Sequence, residues 1–305
     1  MRRNILLPIA LLIPLYIASP AKAQTPPFDA DFFKQASAEL GEKPQLIIWG
    51  DVKNLRTSAF YTGASNTITS LLTNALAQSK CFKKITIADL DYGLMMASDL
   101  DDGTTERGYF AVSGNIQATS LLKCLANENK WTPTTLKNHP AYEDASGSVK
   151  SYIYALGNDA IVLVAGSWAT KVDPGKNILA AAKLATFAKS RVFAVQMDKA
   201  PKGSAFKSFS GELKASTDLE FSGTATFAKE TDAIANLKQI DTAKQQGKSA
   251  GLTFANTLKV TRTKARLDGT MTMTSSEFVV VMSLINTALF GGSKPTPPPA
   301  KKPTP

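Results

Sequence analysis

Arg262, Lys264 and Arg266 alternate along one stretch of chain, and alternation places every second residue of a strand on one face. Three cations so placed can dock phosphate or carboxylate groups, arginine in two-point fashion. They are the candidate ligand-binding residues. The competing structural use is cross-strand pairing with Asp218 and Glu220, which lie with Lys214 on one face of a strand expected over 212–220. Catalytic chemistry finds less support. His139 is the sole histidine, which excludes the usual multi-histidine zinc sites and any Ser-His-acid triad not built on that residue. It sits in the turn-like Asn138-His139-Pro140. Asp99, Asp101, Asp102 and Glu106 supply the hard oxygens that calcium takes, but their spacing is not that of an EF-hand loop and suits a polar hairpin tip. Asp89 and Asp91 read as sharing a strand face, with no partner in sequence to complete an acid–base pair. Ser120–Lys123 and Ser204–Lys207 match Ser-x-x-Lys without the companion motifs of penicillin-binding enzymes. Gly247-Lys248-Ser249 ends a phosphate-loop pattern in which Thr242 replaces the first glycine. No catalytic residue, metal or cofactor is expected.

Compartment follows from the N-terminus and the cysteines. Arg2 and Arg3 precede an apolar run broken by Pro8 and Pro14, and Ala21-Lys22-Ala23 offers small residues for cleavage, so 1–23 reads as a signal peptide. No transmembrane anchor is expected after processing, and the placement is periplasmic or secreted. Cys81 and Cys124 are the only cysteines, and an even pair in an oxidising compartment is expected to form a disulfide.

The formal net charge of +10 is unevenly spread. Residues 24–190 balance sixteen basic against sixteen acidic side chains, whereas 191–290 hold thirteen against nine and the tail adds Lys294, Lys301 and Lys302. A positive excess confined to the C-terminal part suits an anionic envelope polymer, lipid head groups or a protein partner. Nucleic acid is not expected, since no recognition motif is present.

The elements that would position these residues repeat. Strands over 45–51, 85–96 and 107–115, helices over 58–78 and 117–129, strands over 131–136, 149–156 and 160–165, and a helix over 177–189 make a first half, 24–190. A second half, 191–292, has strands over 191–197, 212–220, 221–228, 258–267 and 270–274 and helices over 231–247 and 275–290, with Asp268-Gly269 as a hairpin turn. Residues 293–305, rich in proline and lysine, are expected to form a disordered tail. The fold class is α+β: antiparallel sheet with helices packed on one face, an imperfect duplication of a ferredoxin-like unit. Ser222, Thr224 and Thr226 oppose Phe221, Gly223, Ala225 and Phe227, which predicts one solvated, threonine-rich face.

The leader, the duplicated α+β halves and the Asp-Gly hairpins resemble uncharacterised secreted or periplasmic bacterial proteins. That resemblance is one of architecture; it implies export and carries over no catalytic residue. The expected function is that of a non-enzymatic exported binding protein contacting an anionic envelope polymer or a protein partner. The alternatives are an envelope hydrolase using Asp89, Asp91 or the Asp99–Asp102 group, and an oligomeric scaffold built on sheet edges.

Overall fold

Ile47 and Trp49 face one way from the strand Leu46–Asp51, and Leu46 and Ile48 face the other; all four are buried. A strand apolar on both faces needs cover on both. The computed structural model describes residues 28, 30–77, 79–100, 107–147, 149–175, 191–249 and 251–290. The signal peptide expected over 1–23, the helix expected over 177–189 and the tail expected over 293–305 lie outside the described residues, as do Asp101, Asp102 and Glu106.

In chain order the first half carries α1 (Ala30–Leu40), β1 (Leu46–Asp51), α2 (Val52–Arg56), α3 (Ala59–Leu76), β2 (Leu90–Ser98), β3 (Arg107–Gly114) and α4 (Ala118–Asn129). It continues with β4 (Thr132–Leu136), β5 (His139–Asp144), β6 (Ser151–Leu156) and β7 (Ala160–Ala165). The second half carries β8 (Arg191–Met197), β9 (Phe206–Ala215), β10 (Leu219–Phe227), α5 (Glu230–Ser249), α6 (Phe254–Thr257), β11 (Lys259–Thr263), β12 (Arg266–Met273) and α7 (Ser275–Phe290).

All twelve strands join one sheet in the order β11-β12-β10-β9-β8-β1-β2-β3-β7-β6-β5-β4, and every neighbouring pair is antiparallel. The chain is therefore α+β, and its halves share a single antiparallel sheet. β1 and β8, the first strand of each half, pair at the centre; outward from them run β2-β3-β7-β6 on one side and β9-β10-β12-β11 on the other. Each half thus sets its late hairpin beside its third strand, and the β4–β5 hairpin extends the first half alone. The ferredoxin-like expectation covers the α+β make-up and the antiparallel sheet; the strand order belongs to this chain.

Among the described residues, helices α2 to α7 lie on one side of the sheet. α3 packs Phe60, Ala64 and Ile68 against Val192, Leu213 and Ala215 of the second half, and α4 packs Leu121 and Leu125 against Ile153 and Ile161. α5 sets Ala233 and Leu237 over Ala225 and Leu267, and Phe254 of α6 packs with Met271, Met273 and Val281 of α7. α7 begins with a capping box: the Thr274 hydroxyl accepts from the Glu277 N–H at 3.3 Å while Glu277 accepts from the Thr274 N–H at 2.9 Å. Its first turn runs close against α3. A Cβ on Gly63 would stand 2.2 Å from Ser275 Oγ, so only glycine permits this approach. Gly63→Val is expected to cost about 1–3 kcal/mol in denaturant unfolding. Part of the loss should return with Ser275→Gly, and a Gly63→Val protein as stable as the parent would contradict the contact.

α1 covers the other side of the first half, an element the sequence reading did not foresee. Phe32, Ala36 and Leu40 recur four residues apart and join Ile47, Trp49, Tyr109, Tyr154 and Trp168 in one core. Gly41, at φ +76°, closes the helix in the left-handed conformation, with its N–H on the Ser37 carbonyl at 2.8 Å. Cys81 and Cys124 form the expected disulfide, tying the 3₁₀ turn Lys80–Phe82 to α4 with Cα atoms 5.7 Å apart.

Two turns fall elsewhere than expected. The hairpin near residue 265 turns at Lys264-Ala265, with Lys264 at φ +53°, and Asp268-Gly269 lies inside β12. Gly269 is opposite Gly223, itself opposite Gly211. The Phe209 and Phe221 rings come within 3.1 Å and 3.0 Å of where side chains on Gly211 and Gly223 would begin. These glycines therefore admit aromatic rings over the strands rather than make a turn. Likewise the expected strand over 212–220 is cut by the Ser216-Thr217-Asp218 turn, so Glu220 faces Lys214 across the ladder instead of lying beyond it on one strand.

Candidate functional site

The side of the second half away from the helices is polar. Pairing register arranges it in rows running across the strands. The first row is Arg191, Lys214, Glu220 and Thr272; the second is Ala194, Glu212, Ser222, Thr270 and Lys259. The third is Gln196, Ser210, Thr224, Asp268 and Thr261. The solvated, threonine-rich face predicted from alternation is this surface. Among the described residues no helix packs on it, in contrast to the aromatic face that α1 covers in the first half.

A concavity of about 500 Å³ occupies the first two rows, lined by Arg191, Glu212, Lys214, Glu220, Ser222 and Thr272 among others. Glu212 sits between two cations: its carboxylate pairs with the Arg191 guanidinium and, at 3.0 Å, with Lys214 Nζ. The Arg191 and Glu212 side chains are only 14% and 16% exposed, so their pair is partly shielded from water, whereas Lys214 is 38% exposed. The Glu212 carboxylate thus faces two cations at the Arg191–Lys214 end of the concavity. Glu220 is exposed at the other rim, and its carboxylate makes no hydrogen bond or ion pair among the described residues. Hydroxyls of Ser222, Thr270 and Thr272 add donors and acceptors without charge. Such a surface can hold charged and polar groups; it presents no nucleophile paired with a base.

The residues singled out from sequence lie elsewhere. Because the turn falls at Lys264, Arg262 and Arg266 project to opposite sides of the sheet: Arg262 is level with Leu267 on the helix side, and Arg266 with Thr263 and Thr226 on the polar side. The three cations do not make one stripe. Arg262 pairs with Glu230 of α5 and donates to the Lys264 carbonyl at 3.1 Å. Arg266 grips Asp268 through Nε at 2.8 Å and Nη2 at 2.5 Å. Lys264 is exposed on the turn. The cross-strand pairing with Asp218 and Glu220 foreseen for these cations is not seen among the described residues: Arg262 pairs with a helix residue, Glu230, and Arg266 with Asp268 on its own strand.

The described carboxylates of the hydrolase reading, Asp89, Asp91 and Asp99, are each engaged. Asp89 is not on a strand; in the 3₁₀ turn Ile87–Asp89 it accepts from the hydroxyl and N–H of Thr86, which hold its carboxyl below the usual range. Asp91 pairs with Arg56 at 3.0 Å, and Asp99 with Arg107. Asp51, which caps α2 through the Asn54 N–H at 2.7 Å, is pushed upward by burial. His139 is exposed at the start of β5, after a two-residue turn in which Lys137 and Asn138 have φ of +46° and +68°. Among the described residues no group of three His, Cys, Asp or Glu side chains could hold a metal ion, and no helix is long and apolar enough to cross a membrane.

Sequence reasoning missed Arg191, Glu212 and Lys214 as a group. The signal present was Ser208, Ser210, Glu212 and Lys214 alternating up to the turn-forming Ser-Thr-Asp at 216–218. An antiparallel sheet with most of its helices on one side, α1 over the first half of the other side and a polar concavity over the second, defines an α+β class of molecule. No family model and no curated protein sequence matches the chain. A solved structure described as crystal form I of TP0453 is similar to it with a TM-score of 0.41 and 11% sequence identity, covering 86% of this chain and 98% of that one.

Proposed function

We propose that this is a non-enzymatic exported binding protein whose ligand lies in the concavity on the polar side of residues 191–292, with an anionic group of an envelope component against Arg191 and Lys214. The observation that carries this reading is the two-to-one ratio of cations to carboxylate around Glu212. The excess of basic residues over 191–290 supports it, because it draws anionic partners toward this half. The leader and the Cys81–Cys124 disulfide suit a periplasmic or secreted location. The engagement of Asp89 by Thr86, of Asp91 by Arg56 and of Asp99 by Arg107 favours binding over hydrolysis.

Retention of the full protein on fractionated envelope material at low and high salt tests the reading. Retention on one fraction, weakened by salt, is expected. Charge-assisted hydrogen bonds contribute about 1.5–3 kcal/mol each. Arg191→Gln with Lys214→Gln should therefore lower affinity at least tenfold, while Arg262→Gln should change it little. Loss of binding on changing Arg262 but not Arg191 and Lys214 would overturn the assignment.

A further inference from the structure

We infer that the group this concavity selects is a zwitterion: a carboxylate and a primary ammonium carried on one ligand. The inference rests on the binding reading above and concerns the same site. Its basis is the order of charges in the first row. Arg191 on β8 and Lys214 on β9 are followed by Glu220 on β10, each one strand, or about 5 Å, from the next.

Lys214 and Glu220 stand directly opposite each other, the arrangement in which cross-strand ion pairs ordinarily form. Lys214 pairs instead with Glu212, on its own strand, at 3.0 Å. Glu220 is left exposed, its carboxylate unbonded among the described residues, with Thr272 as its other neighbour in the row. An anionic group drawn to Arg191 and Lys214 therefore meets an unbalanced carboxylate one strand away. A ligand carrying only negative charge is repelled there, while one carrying an ammonium beside its anion satisfies both ends. Glu220 thus discriminates between two classes that Arg191 and Lys214 alone would accept. The hydroxyls of Ser222, Thr270 and Thr272 can take the remaining ammonium hydrogens or carboxylate lone pairs. Two cations and two carboxylates line the concavity, a balance that fits a ligand of no net charge.

Calorimetric titration of the full protein with hexanoate, hexylammonium and 6-aminohexanoate separates the possibilities, since the three probes share a chain and differ in their charged ends. The zwitterion is expected to bind at least tenfold more tightly than either single-charge probe. Glu220→Gln, a change at an exposed side chain, should remove that advantage and leave hexanoate binding equal or stronger. Equal affinity for hexanoate and 6-aminohexanoate in the parent, or a preference that survives Glu220→Gln, overturns the zwitterion inference while leaving the anion site standing. Binding of none of the probes overturns both.

Discussion

Trp168→Ala is expected to lose about 3–5 kcal/mol of folding stability, the range for emptying a fully enclosed aromatic site. Trp168 is 0% exposed, held by the 3₁₀ turn Gly166–Thr170 in the core that α1 and the first half of the sheet make together. Its indole Nε1 donates to Glu42 at 2.6 Å, and the other oxygen of Glu42 accepts from Arg107 at 2.5 Å. Removing the indole therefore leaves a cavity and also takes one donor from a carboxylate that orients Arg107. Chemical denaturation should show the midpoint falling with little change of slope. Trp168→Phe, which refills most of the volume but cannot donate, is expected to cost less. Equal losses for the two variants would place the whole effect in the hydrogen bond, against the packing account.

Opening the Cys81–Cys124 disulfide comes next in size. The cysteines are 43 residues apart in sequence, and chain-entropy reasoning assigns a loop of this length about 4 kcal/mol as an upper value. The junction has a second fastening: Glu128 of α4 accepts hydrogen bonds from the Ser79 hydroxyl and, at 3.1 Å, from the Lys80 N–H. Because that clamp outlasts reduction, a loss of about 2–4 kcal/mol is expected. Adding reductant should lower the denaturation midpoint of the parent and leave that of the Cys81→Ser, Cys124→Ser protein unchanged. A reductant-dependent shift in the double variant would assign the effect to something other than this bond.

The sequence made the α+β class and the polar side of β10 legible, because alternation and helical periodicity are local signals. Ser222, Thr224 and Thr226 were assigned to the wet side from spacing alone, and the pairing register agrees. The basic stripe failed for a local reason with a distant cause. Asp-Gly is a strong hairpin signal, yet here Gly269 is paired inside β12 opposite Gly223, a register set by a strand distant in sequence. Moving the turn to Lys264 reverses the side on which Arg262 lies relative to Arg266. The charge row Arg191-Lys214-Glu220 was hidden for a related reason: its members come from three strands, and only pairing brings them level. α1 did carry a readable signal in Phe32, Ala36 and Leu40, masked by the proline-rich segment just before it.

The pairing of β1 with β8 also governs the order in which the molecule can be completed. Ile48 finds its partner Val195 only after the whole first half has been synthesised. Until then β1 is an apolar margin, bonded to β2 on one flank and offering unsatisfied amides and carbonyls on the other. Contacts so remote in sequence form slowly. The nascent chain therefore passes through an interval in which any extended strand in its surroundings competes for that margin, and neither half produced alone would leave that interval.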